Sequence, residues 1–151
     1  MGVMFDLDAR RTRLRDARLY LVCDLRPGGR SLEDVLAPAL AGGVDVVQLR
    51  DKQASAEQVI AAAQAARPLC DEAGALLILN DRPELVRAAG ADGCHVGQDD
   101  MEPAAARERA GADRIVGQST HFPDEVTGAW KAAKRTSSTP TGWRPGFVGV
   151  A

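Results

Sequence analysis

Aromatic side chains make up only 4% of the 151 residues, cysteines number three, and neither sign of charge prevails, with 19 basic against 21 acidic side chains. Each shortage excludes something. A formal net charge of −2 and a pI near 5.7 leave no global field to gather nucleic acid or an anionic membrane surface. No apolar run approaches the roughly 18–20 residues of a membrane span, and Met1 to Arg15 mixes apolar, acidic and basic residues with no secretory core. The chain is therefore expected to be cytoplasmic. Cys23, Cys70 and Cys94 are far apart, odd in number and without CxxC spacing, so buried reduced thiols are expected rather than a disulfide framework or a zinc site. What is present, 45% hydrophobic and 26% charged residues, is the composition of one soluble globular domain. A chain of this length can bury roughly 68–70% of its unfolded surface.

Short apolar runs alternate with helical periods along the chain. Leu19 to Cys23 reads as a buried strand, followed by a helix that Ser31 caps and Gly42-Gly43 stops, with Leu32, Val35, Leu36, Ala39 and Leu40 on one face. Val44 to Leu49 is a second strand. Its helix opens at Ser55 with Gln58 at the third helical position, carries Val59, Ala62, Ala63, Ala66 and Cys70 on one face, and stops at Gly74. Ala75 to Leu79 is an unbroken apolar strand with a short helix from Pro83 to Gly90. A fourth strand, Asp92 to Val96, precedes a helix from Pro103 to Ala110, and a fifth, Arg114 to Gly117, precedes a helix from Pro123 to about Lys134. Five β/α units in strict alternation imply a parallel sheet with right-handed crossovers, either open and doubly wound or part of a closed (β/α)8 barrel. The strands begin about 23.5 residues apart, so eight units need about 190 residues. From Thr136 onward breakers dominate, and Phe147 to Val150 is at most one short strand.

Chemistry in parallel α/β folds sits where the carboxyl ends of strands meet the following loops. Four successive junctions are polar here: Gln48, Arg50 and Lys52; Asn80-Asp81-Arg82; Gly97 to Asp100; and Ser119-Thr120-His121. Gln48, Arg50 and Lys52 share one side if the extended conformation persists, which suits a phosphate or diphosphate, although solvated rim charges have the same spacing. Asp81 and Asp100, at the ends of adjacent strands, form a pair that a magnesium ion could use with substrate phosphates. Each could instead serve its following helix as a cap. His95, inside the fourth strand, reads as an interior imidazole rather than a catalyst, whereas Ser119 and His121 lie on the presumed active side, where ligand contact and loop structuring both remain open. No GxSxG hydrolase pattern is present.

The segments Tyr20 to Asp24, Gln48-Leu49-Arg50-Asp51-Lys52, Asn80-Asp81-Arg82, Gly90 to Asp100 and Gly117 to His121 together resemble thiamine phosphate synthase across about residues 18–125. That resemblance implies a TIM-barrel transferase of thiamine biosynthesis. It condenses 4-amino-2-methyl-5-(diphosphooxymethyl)pyrimidine with 4-methyl-5-(2-phosphooxyethyl)thiazole, giving thiamine phosphate and diphosphate. It further implies Mg2+ on Asp81 and Asp100, a substrate site made of Gln48, Leu49, Arg50, Asp51, Lys52, Asn80 and Ser119, and catalytic charge from Arg50 and Lys52. The expected fold is thus α/β of the (β/α)8 type, incomplete at about five units: residues 1–17 an extension or short helix, 18–134 the partial barrel, and 135–151 an irregular tail. Thr139-Pro140-Thr141 echoes a family loop, but Gly142 stands where the family has lysine, so no thiazole-site residue is assigned. A fragment or frameshifted product of an ordinary synthase, a shortened noncatalytic binder of the pyrimidine diphosphate, and a half-enzyme completed by another copy or chain are the readings that follow.

Overall fold

A computed structural model describes residues 7–97 and 99–120 together with Asp124, Glu125 and Thr127. Five parallel strands form one sheet in the order β1-β2-β3-β4-β5: β1 Tyr20–Cys23, β2 Val46–Leu49, β3 Leu76–Asn80, β4 Gly93–Val96 and β5 Ile115–Gln118. Helix α1 (Leu7–Asp16) precedes them, and α2 (Leu32–Ala41), α3 (Ala56–Ala73), α4 (Val86–Ala89) and α5 (Pro103–Ala110) follow the first four strands in turn. Sequential neighbours throughout are the order that successive right-handed β/α units of a barrel produce. The expected α/β architecture is the one observed. Among the helical residues after β5, only Asp124, Glu125 and Thr127 are described; the rest of that expected helix, His121, the Thr139 to Thr141 segment and the tail lie outside the described residues.

The helices begin and end where the sequence signals lie. Ser31 Oγ accepts the Asp34 amide at the start of α2, and at α3 Ser55 and Gln58 exchange both hydrogen bonds of a capping box, satisfying donors that the first turn leaves over. Gly74 ends α3 in the left-handed region at φ +70°, where a Cβ would be strained. The apolar stripes of both helices then pack on one side of the sheet: Leu36, Leu40, Val59, Ala63 and Cys70 join Val47, Leu49, Leu77, Leu79, Cys94 and Val96 in the main core.

Strand residues alternate faces, so the other side of the sheet carries Val46, Leu76, Ile78 and Ile115, with Leu14, Ala17 and Tyr20 packed against them. Helix α1 thus lies near the amino ends of the strands. Buried Arg10 anchors it there: its Nε donates to Asp92 Oδ1 at 3.0 Å and its Nη1 to the Asp113 carbonyl. Asp92 Oδ2 also accepts from Arg67 Nη1 of α3 at 2.8 Å and from the Leu77 amide of β3 at 2.9 Å. One buried carboxylate therefore ties α1, α3 and β3 to the turn before β4, and its charge is matched by two guanidinium groups.

Candidate active site

With the amino ends occupied by α1, the carboxyl ends of the strands remain for chemistry. A cleft of about 250 Å³ opens there, lined by Asp51, Lys52, Asn80, Asp81, Arg82 and Asp100. The turns after β2, β3 and β4 converge in it. Asp51 shapes the first by accepting the Gln53 amide at 3.0 Å. Asp100 closes the third by accepting the Gly97 amide at 2.9 Å, and a Cβ on Gly97 would collide with that carboxylate.

Asp81 is held differently. Its amide donates to the His95 carbonyl at 2.8 Å, extending the β3–β4 ladder, and its φ of +56° places it in the left-handed region that aspartate tolerates better than most residues. Neither acid caps a helix: the residue before the turn at Pro83 is Arg82, and before α5 it is Glu102, each without a side-chain capping bond. Instead the two carboxyl groups meet. Burial first, then a hydrogen bond with Asp100 and its negative field, push the Asp81 carboxyl above its ordinary range. Asn80, whose Nδ2 donates to Asp81 Oδ2 at 2.7 Å, and Lys52 pull the other way.

The remaining expected site residues divide by strand geometry. β2 ends at Leu49, so Gln48 and Leu49 are buried in the sheet, while the Arg50 amide still pairs with the Cys23 carbonyl and the Arg50 residue is exposed. Gln48 Nε2 donates to the Tyr20 hydroxyl at 2.7 Å on the inner side, and burial raises the Tyr20 phenol. Asp51 and Lys52 reach the cleft; Arg50 is not part of its lining. Ser119, just past β5, is half-buried, and its Oγ lies 2.8 Å from His95 Nε2. Burial holds that imidazole below its ordinary range, against the field of Asp81, so it is neutral near pH 7. Spacing alone assigns no role to Arg82 or Tyr20 and does not join His95 to Ser119; the signal for the last is the alternation that puts both on the inner face.

A model of the thiamine monophosphate synthase family matches residues 19–137. The chain belongs to that family. The thiamine-phosphate synthase of Streptomyces avermitilis is 43% identical over 122 residues, 81% of this chain and 57% of the relative. That of Thermobifida fusca is 46% identical over 111 residues, 74% of this chain and 51% of the relative. The structure titled thiamine phosphate pyrophosphorylase from Pyrococcus furiosus superposes with a TM-score of 0.71 at 29% identity, covering 80% of this chain and 57% of the other. The chain thus spans about half the length of the curated relatives it matches. No helix among its described residues is long and apolar enough to cross a membrane.

Proposed function

We propose that the chain is a thiamine phosphate synthase, binding the pyrimidine diphosphate at the cleft and joining it to the thiazole phosphate. The observation that carries this reading is the convergence of Lys52, Asn80, Asp81 and Asp100 on one cleft at the carboxyl ends of the strands, in a chain whose family match covers those same strands. In the reaction the bond between the pyrimidine methylene and the diphosphate oxygen breaks, the electron pair leaves with diphosphate, and the thiazole nitrogen lone pair forms the new carbon–nitrogen bond. No general base is needed. The residues act by charge and position: Lys52 as a compact cation and Arg50 as a planar fork on the diphosphate, Asn80 and Ser119 as neutral partners that fix it, and the strand-end loops by keeping water from the cationic carbon.

The donor set also fits a magnesium ion. The described residues hold no cluster of three or more His, Cys, Asp or Glu ligands, but two carboxylates facing each other, one raised by burial and then by its neighbour, are an arrangement that suits a hard cation, with substrate phosphate and water supplying the other oxygens. Held by Asp81 and Asp100, Mg2+ would neutralise charge on the departing diphosphate. The chain works as a soluble cytoplasmic enzyme in this proposal. It also associates with itself or a completing chain, because Leu19 and Val22 at the β1 edge are 50% and 49% exposed. A monodisperse monomer by light scattering would refute that last point.

Calorimetric titration with inorganic diphosphate and Mg2+, beside an assay for thiamine phosphate, tests the site and the activity separately. Asp81→Asn and Asp100→Asn are each expected to weaken Mg2+-dependent diphosphate binding at least about tenfold, and Arg50→Ala to weaken it with or without the metal. Unchanged affinity in both aspartate variants would sink the metal site. Diphosphate binding without thiamine phosphate formation would support a noncatalytic binder instead.

A further inference from the structure

Resting on the reading of Ser119 as a diphosphate contact, we propose that His95 is the positioning residue that sets the Ser119 hydroxyl, and that Gly117 is the gap through which it does so. β4 and β5 pair so that His95 stands opposite Gly117, with Asn80 on the other side of His95. The Ser119 amide donates to the Val96 carbonyl at 3.0 Å, which carries the ladder one rung past Gln118 and fixes where the Ser119 Cα lies. The backbone leaves the side-chain rotamer undecided. His95 Nε2, 2.8 Å from Ser119 Oγ, favours the rotamer that faces it. To reach that far the imidazole must lie across β5, and the position it crosses has no side chain: a Cβ on Gly117 would sit 2.8 Å from His95 Nδ1, closer than real Cβ atoms come to a neighbour.

The imidazole and the hydroxyl therefore form one unit, with glycine required between them. Whichever of the two donates in the resting site, the Ser119 oxygen is held on the inner face, so it meets a diphosphate oxygen without first losing rotational freedom. Gln48 bound to Tyr20 makes a comparable pair two strands away, but that pair contains no residue the strands leave undecided in the same way: Gln48 is buried within β2 itself.

The test is a double-mutant cycle on the full chain, read by calorimetry with inorganic diphosphate and Mg2+, with urea midpoints confirming that each variant folds. Ser119→Ala and His95→Phe are each expected to weaken diphosphate about tenfold, and the double variant no further than Ser119→Ala alone, because the hydroxyl is the only route by which His95 acts. Gly117→Ala, which removes no polar group, is expected to weaken it comparably by displacing the imidazole. His95→Gln, which keeps a hydrogen-bonding end, is expected to restore most of the affinity that His95→Phe loses. With only two histidines in the chain, the His95 ring nitrogens can also be followed by NMR, and Ser119→Ala should shift the Nε2 resonance in the absence of ligand. Multiplying losses in the double variant, wild-type affinity in His95→Phe, or an unmoved Nε2 resonance would each overturn the role of His95. Absence of diphosphate binding by the unaltered chain would overturn the functional reading itself, while the NMR shift would still report whether the pair forms.

Discussion

Asp81 shows what a single residue conceals in a sequence. An aspartate two positions before a proline has the spacing of a helix cap, yet its carboxyl turns to Asp100, and its backbone takes a left-handed φ of +56° that one-dimensional spacing cannot reveal. That backbone is why asparagine, which tolerates the same region, is the substitution to use there. Gln48, Arg50 and Lys52 depend instead on where their strand stops. Their even spacing predicts one shared face, but β2 stops at Leu49, so Gln48 is sealed against Tyr20 and Lys52 alone of the three lines the cleft. Of the three cysteines expected as buried thiols, Cys70 and Cys94 are buried and Cys23, at the edge strand β1, is only half-buried, and their titration follows. Burial pushes Cys23 and Cys70 up to about 11 and Cys94 up to about 12. A thiol whose pKa is raised in the fold stabilises it below its ordinary value, and that contribution is lost as pH climbs from about 9 towards 11 and 12. At pH 8 iodoacetamide should therefore modify all three far more slowly than in urea, Cys23 first because it is only half-buried, with mass spectrometry counting the adducts. Modification of Cys70 or Cys94 at the unfolded rate would show that the strand–helix layer does not close over them.

At the scale of elements, starts and stops were legible because they are local. Ser31, the Ser55 and Gln58 box and Gly74 act within one helical turn, so spacing alone placed α2 and α3. The docking of α1 was not legible, because it depends on Asp92, 82 residues from Arg10 in sequence. Asp92 looks in sequence like the first residue of a strand; in the fold it accepts from Arg10, Arg67 and the Leu77 amide and lies just ahead of β4. Replacing it with alanine leaves a buried guanidinium on Arg10 without its carboxylate and a backbone amide without its acceptor. Asp92→Ala should accordingly destabilise the chain by about 3–5 kcal/mol. Arg15→Ala, which removes an exposed pair with Asp16, should change stability by less than about 1 kcal/mol. Urea denaturation of the two variants side by side measures the contrast. Similar small losses in both would mean that α1 is not held through Asp92.

For the molecule as a whole, strict alternation of strands and helices sufficed to specify a parallel sheet but left its strand order open between a doubly wound sheet and a barrel, and the cleft required knowing which loops converge. Periodicity is a property of neighbours in sequence, and a site assembled from the ends of three strands is not. The same convergence has a thermodynamic consequence. Lys52, Asp81 and Asp100 come together only in the folded chain, so any ligand they bind together stabilises folding by mass action. At a concentration one hundred times its dissociation constant, inorganic diphosphate with Mg2+ should add about 2.7 kcal/mol, which for a chain of this size raises the melting temperature by roughly 5–10 °C. Diphosphate alone should raise it less, since Asp81 and Asp100 would then repel the added charge. Asp100→Asn removes one of those repelling charges and one of the two carboxylates facing the cation, so it should narrow the gap between the melts with and without Mg2+ while leaving the apo midpoint nearly unchanged. Differential scanning calorimetry across the four combinations of variant and metal reads this directly. An equal shift with and without Mg2+ in the unaltered chain would mean that diphosphate is held by Lys52 and its neighbours alone, and that the two aspartates meet for a structural reason.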